Sequence, residues 1–227
     1  MDLSSNCISP KGVRSLFQWL INNESVYHLS LATIEGINRN IIGLQGVVML
    51  SRCLKSNITL SILDLSSTSI NNEEMLILLE GLKDNKSLTS LNLSNNKFDK
   101  TVIEQFSEAI VTTQIQILNL KDNQFENKGI ITFAEFWFDE KSVNAINKLD
   151  FTNAEVTSEG SAKFLDMLSK STIVNSLIYD KNPIKTDASI KSLGSVLSSN
   201  GFIKYMSLSK CELGDLGAEI IGVSIPK

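Results

Sequence analysis

An apolar triplet of the form L-x-x-L-x-L recurs seven times along the 227-residue chain, and it leaves few folds open. The copies are Val26/Leu29/Leu31, Leu60/Leu63/Leu65, Leu88/Leu91/Leu93, Ile115/Leu118/Leu120, Ile146/Leu149/Phe151, Val174/Leu177/Tyr179 and Ile203/Met206/Leu208. All 21 positions are apolar or aromatic, although such residues make up only 42% of the chain. For a fixed register, chance would give this with a probability on the order of 10⁻⁸. A shortened eighth copy opens the chain at Leu3, and successive anchors lie 28, 34, 28, 27, 31, 28 and 29 residues apart. A period in this range means stacked supersecondary units, none of which can bury its own apolar face alone.

Within each unit the period changes from two to about four. Nine residues beyond most anchors stands a small or helix-opening residue: Gly12, Glu74, Val102, Gly129, Gly160, Ala188 or Gly217, with Gly46 displaced by six. Four and eight residues further come Leu16/Leu20, Leu50/Leu54, Leu78/Leu82, Phe106/Ile110, Phe133/Trp137 and Phe164/Leu168, slipping by one to Leu193/Leu197. Such a file is the buried stripe of a helix. Three residues past the anchors sit Asn6, Thr68, Asn96, Asn123, Asn182 and Cys211, short side chains able to satisfy buried backbone groups of neighbouring turns. Ile34 and Ala154 interrupt this series.

On these residues the chain resembles the leucine-rich-repeat family, specifically the 28–29-residue class to which ribonuclease inhibitor belongs. The resemblance implies a right-handed α/β solenoid of about eight repeats, with parallel strands on the concave side and helices on the convex side. It covers residues 1–227 as a single domain. The chain opens inside a strand and closes in a helix without a polar capping repeat, so a piece of a longer protein is expected.

Composition narrows the function classes. A net charge of −4 and no clustering of Lys and Arg argue against a nucleic-acid partner. No apolar run approaches the roughly 18 residues of a membrane span, and the first residues carry no signal-peptide pattern. Cys7, Cys53 and Cys211 are odd in number and widely spaced, which fits a reducing, cytoplasmic setting rather than a disulfide framework. Asn-x-Ser/Thr tripeptides at Asn23, Asn57, Asn85 and Asn92 are read as chance matches in an Asn- and Ser-rich chain.

Catalytic signatures are lacking: no phosphate-binding loop, dinucleotide fingerprint, H-E-x-x-H or C-x-x-C is found. The one histidine, His28, alternates outward from Leu29, so no metal, cofactor or small-molecule substrate is expected. A single catalytic alternative rests on Arg39, in a loop six residues longer than its equivalents. That loop resembles the arginine-bearing loop of the RanGAP family of GTPase activators, where an arginine supplied in trans stabilises phosphoryl transfer. Met1–Asn6, Trp19-Leu20, Asn23, Ser25, His28–Leu31 and Tyr179–Asn182 resemble repeats of the CARMIL family of actin regulators, implying a cytoskeletal or signalling scaffold. A host-directed bacterial or parasite effector is a further reading the repeat allows.

The strand alternation lists the concave face. One file runs His28, Ile62, Ser90, Ile117, Lys148, Ser176, Tyr205, and the polar file beside it contains Asp64, Asn92, Asn119 and Asp150. Ile62, Ile117, Ile178 and Tyr205 are apolar where a strand facing water needs none, and Asp64, Asn92, Asn119, Asp150 and Asp180 would select charge. The expectation is a non-enzymatic interaction module that holds a protein partner there. Phe136 and Phe138 fall off the helical stripe and are expected to pack on the next helix, the alternative being an apolar patch on the convex side or lateral edge.

Overall fold

Seven three-residue strands lie side by side in chain order in one parallel sheet: β1 (His28–Ser30), β2 (Ile62–Asp64), β3 (Ser90–Asn92), β4 (Ile117–Asn119), β5 (Lys148–Asp150), β6 (Ser176–Ile178) and β7 (Tyr205–Ser207). The structure is a computed structural model and describes residues 1–33, 38–138 and 145–224. The shortened first copy adds to the free edge of β1, where Asp2 bridges Ser30 and the Leu3 N–H donates to the Ser30 carbonyl at 2.9 Å. Helices alternate with the strands: α1 (Pro10–Leu20), α2 (Gly43–Ser56), α3 (Asn72–Leu82), α4 (Ile103–Ile110), α5 (Glu126–Trp137), α6 (Ser158–Leu168), α7 (Asp187–Ser199) and α8 (Gly214–Ser224). A 3-10 turn at Lys100–Val102 leads into α4. Each helix packs on its sequence neighbours, so the core is a continuous slab between sheet and helices. Among the described residues no helix is long and apolar enough to cross a membrane.

Of the 21 triplet positions, all are buried except Val26, Ile203, Met206 and Leu208, which are half-buried. The helical stripe departs from a strict four-residue file. In α1 the buried residues are Val13, Phe17 and Leu20, while Leu16 is half-buried and Gly12 exposed. In α7 Val196 goes inside and Leu197 stays half-buried. Four residues advance a helix by about 400°, so an unbroken i, i+4, i+8 file drifts some 80° off the core, and an i, i+4, i+7 file holds its line. In α3 Glu74 is buried at the head of the Leu78/Leu82 file, and its carboxylate also closes a capping box with Asn71.

The polar spine forms with one displacement and one exception, Asn6, which is exposed and donates through Nδ2 to the Ser4 carbonyl of its own turn. Asn96 donates through Nδ2 to the carbonyls of Leu65 (2.9 Å) and Leu93 (3.0 Å). Asn123 serves Leu93 and Leu120, and Asn182 serves Phe151 and Tyr179. Ile34 lies outside the described residues, and Asn40 takes the spine position of its repeat, donating to Leu3 and Leu31. Ala154 has no side chain to give, but its own N–H is received by Asn182 Oδ1 at 2.9 Å. The second residue past the anchor is left-handed in the other repeats (Ser5, Ser67, Asn95, Asp122, Asn153, Lys181, Lys210), and Thr33 escapes that conformation.

A second asparagine ladder runs along the opposite rim. Asn57 Nδ2 donates to the carbonyl of Leu20 at 2.8 Å, Asn85 to Leu54 at 2.8 Å and Asn200 to Leu168 at 2.8 Å. Each amide oxygen receives N–H groups that open the next strand segment, such as Leu60 on Asn57 and Leu88 on Asn85. Asn57 and Asn85 are therefore buried and committed, whatever their tripeptide context.

The middle of the solenoid is aromatic. Phe151 meets Phe125, Phe133 and Phe164 edge-on at 5.5, 4.7 and 5.9 Å, and Phe164 stacks on Tyr179 at 5.1 Å. Phe138 is buried against Phe164 and Phe136 is half-buried against the same core, so both pack inward as expected.

Candidate functional site

Strand register builds the exposed sheet face from two straight files. His28, Ile62, Ser90, Ile117, Lys148, Ser176 and Tyr205 pair consecutively across the sheet. Ser30, Asp64, Asn92, Asn119, Asp150, Ile178 and Ser207 do the same one position along. Adjacent rows are spaced about 4.8 Å apart.

The polar file has a local duty. Asp64, Asn92, Asn119 and Asp150 each accept, through Oδ1, the N–H two residues on, from Ser66, Ser94, Lys121 and Thr152 at 2.8–3.0 Å. These Asx turns end the strands and fix the side chains. They leave the second carboxylate oxygen of Asp64 and Asp150 and the amide nitrogen of Asn92 and Asn119 without a hydrogen bond among the described residues. In the Ile178 row the pattern shifts. Asp180 reaches across and accepts from the Ser207 hydroxyl and the Ser209 N–H, both at 2.7 Å, closing β7. Asp180 is thus engaged in holding the last strand.

The apolar candidates are brought into line but not into one patch. Ile62 and Ile117 are separated by the Ser90 row, and Lys148 and Ser176 intervene before Tyr205. Ile117 is 43% exposed and Tyr205 55%, whereas Ile62 and Ile178 are half-buried. Ile178 and Tyr205 sit diagonally on neighbouring strands, within reach of each other's side chains. A depression of about 520 Å³ beside Tyr205 is lined by Leu197, Ile203 and Met206. Ile203 and Met206 are inward triplet positions, so this depression belongs to the last repeats at the end of the stack and not to the outward files, along which apolar and polar residues interleave.

The β1–β4 end of the sheet face holds a depression of about 530 Å³ bordered by Asp2, His28, Asp64, Ser94, Lys121 and Asp122. The N–H of Ser4 donates to Asp2 and, with its hydroxyl, holds that carboxyl below the usual carboxylate range; His28 and the terminal ammonium act in the same direction. Among the described residues no group of three or more His, Cys, Asp or Glu is placed to hold a metal. Arg39 is exposed and makes no ion pair among the described residues; it follows Asn38, whose Oδ1 lies 3.4 Å from Cys7 Sγ. Residues 34–37 of the same loop lie outside the described residues.

The Asx-turn row and the engagement of Asp180 escape sequence reasoning, because alternation marks a residue as outward without saying what its side chain touches. The repeated Asx at the ends of β2 to β5, each two positions before a polar residue, was the available signal.

Comparison with known proteins agrees with this architecture. One Leucine Rich Repeat model matches residues 87–109, and a second matches residues 1–17 and 113–134. A NACHT, LRR and PYD domains-containing protein 5 of Mus musculus is 26% identical over 223 residues, which is 97% of this chain and 17% of that protein. A Rho GTPase-activating protein, gacW, of Dictyostelium discoideum is 24% identical over 145 residues, 63% of this chain and 12% of that protein. The chain thus spans less than a fifth of either relative. Among solved structures, leiomodin-1 actin-binding site 2 aligns over 82% of this chain and 87% of its own, with 16% identity and a TM-score of 0.44. The matched segments coincide with strand–helix units of the parallel sheet, and the fold is that of a leucine-rich-repeat solenoid.

Proposed function

We propose that the chain is a non-enzymatic interaction module that holds a protein partner on its sheet face, in intracellular signalling or actin-cytoskeleton regulation. The observation that carries this reading is the register of the two files. Exposed Ile117 and Tyr205 stand in line beside a row of Asp and Asn side chains already oriented by Asx turns. A surface fixed before binding loses little entropy on association. Ile62, Ile117, Ile178 and Tyr205 would supply apolar anchors. Asp64, Asn92, Asn119 and Asp150 would present their free polar atoms, while Asp180 would act by holding the last strand. Three unpaired cysteines fit a cytoplasmic setting.

A second reading, GTPase activation through Arg39, is favoured by one geometric fact: this exposed guanidinium has no carboxylate partner among the described residues. A relative carrying a Rho GTPase-activating name adds to it.

The test is affinity capture from cytosol with identification by mass spectrometry, comparing the native chain with Ile62→Arg/Ile117→Arg/Tyr205→Ala after circular dichroism confirms folding. Partners lost with the variant support the sheet face. Partners retained in full would overturn it. A captured GTPase whose hydrolysis is stimulated by the native chain and not by Arg39→Ala would favour the second reading.

A further inference from the structure

The eight helices among the described residues divide their charge unequally. Helices α1 and α2 carry Lys11, Arg14, Arg52 and Lys55 and no carboxylate, whereas every helix from α3 to α8 carries at least one Asp or Glu. Two of the chain's three arginines are in this pair, in a protein of net charge −4. Lys55 is 3.7 Å from Asp84, but Arg14 and Arg52 form neither an ion pair nor a hydrogen bond among the described residues.

These two arginines flank an apolar groove on the helical side. It has a volume of about 350 Å³ and is lined by Arg14 of α1 and by Leu44, Gln45, Val48, Met49 and Arg52 of α2. Leu44, Val48 and Arg52 are spaced i, i+4, i+8, so they form a stripe separate from the buried one of Val47, Leu50 and Leu54. Leu44 is 51% exposed, and Val48 is half-buried. Neither residue is needed to fill the core, and an outward helix face in a solenoid is ordinarily polar.

We propose that the α1–α2 groove is a second docking site, separate from the sheet face, for an acidic amphipathic helix of a protein partner. Leu44 and Val48 form its apolar floor, and Arg14 and Arg52 receive its carboxylates. Charge complementarity sets the sign of the occupant: two uncompensated guanidiniums, each able to bind a carboxylate in bidentate fashion, select Asp or Glu. The geometry sets its form. The groove between two packed helices takes the side-chain ridge of a third, and apolar residues four apart on the incoming helix match the Leu44–Val48 spacing of about 6 Å.

The test is selection of a phage-displayed library of 16-residue peptides on the full chain, followed by fluorescence anisotropy of the recovered peptides. Recovered sequences should carry apolar residues three or four apart flanked by Asp or Glu. Their affinity should fall by roughly ten-fold or more with Arg14→Glu/Arg52→Glu, fall with rising salt, and stay unchanged with Tyr205→Ala. Both arginine side chains are exposed, so the double variant should fold, which circular dichroism checks. Recovery of no peptide, peptides without the acidic pattern, or binding indifferent to the two arginines would overturn the proposal. So would phosphatidylserine vesicles binding through Arg14 and Arg52 when the peptides do not, which would assign the groove to an anionic lipid surface.

Discussion

Asn40 donates through Nδ2 to the carbonyl of Leu31, nine residues earlier and 3.0 Å away. Elsewhere in the spine that bond spans three residues, as in Asn96 to Leu93 and Asn123 to Leu120. The six additional residues of this repeat are therefore inserted between strand and spine, and the spine itself is continuous. Arg39 immediately precedes the residue that locks the insertion to the sheet.

Asn40 is fully buried and makes four bonds of this kind: to the carbonyls of Leu3 (2.8 Å) and Leu31, and from the N–H groups of Asn6 (3.2 Å) and Ile8 (2.8 Å). Asn40→Ala leaves these groups buried or half-buried without partners, at a cost on the order of 2–4 kcal/mol. Thermal and urea unfolding followed by circular dichroism should show the loss. An unchanged melting temperature would mean that water replaces the amide and that the first two repeats are not tied through it.

Ser107 offers the opposite case. It is fully buried in α4, and its hydroxyl has no hydrogen-bond partner among the described residues. Removing an unsatisfied hydroxyl from the core relieves its desolvation cost, and alanine is the better helix former. Ser107→Ala should stabilise the chain by about 1 kcal/mol, read as a higher urea midpoint at unchanged slope. Destabilisation would show that the hydroxyl has a partner after all.

The sheet and its core were legible because their determinants lie within one repeat. Leu63, Leu91 and Leu118 alternate with outward residues and must point one way. Helix phase was less so: Leu16 and Leu197 fit a four-residue file, yet the 3.6-residue period turns Phe17 and Val196 inward instead. The second asparagine ladder was hidden because its bonds are long-range. Asn57 and Leu20 are 37 residues apart, and nothing local to Asn57-Ile58-Thr59 marks its amide as structural. On the candidate site, register placed Ile117 and Tyr205 correctly on the exposed face. The Asx turns of Asp64 and Asp150 and the reach of Asp180 to Ser207 depend on side-chain direction, which alternation does not encode.

The three cysteines should separate cleanly in chemistry. Cys7 is exposed, whereas Cys53 and Cys211 are buried, and burial pushes both of the latter thiols up to about 11 from an ordinary 9.0. The thiolate is the reacting species, so a neutral-pH alkylating reagent should modify one cysteine in the folded chain and three in denaturant. Mass spectrometry after limited iodoacetamide treatment should place the single adduct on Cys7. The same shifts carry a pH dependence. Between pH 9 and about 11 the unfolded chain releases the protons of Cys53 and Cys211 while the folded chain retains them. Unfolding is then favoured progressively, so the stability these neutral thiols confer is complete below pH 9 and lost as pH rises through that window. Burial of the Tyr179 phenol, bonded to Ser161, acts in the same direction. Melting temperature should fall from pH 9 upward in the native chain and fall less in Cys53→Ala/Cys211→Ala, measured relative to each protein's own value at pH 8. Parallel falls in the two proteins would place the alkaline sensitivity elsewhere.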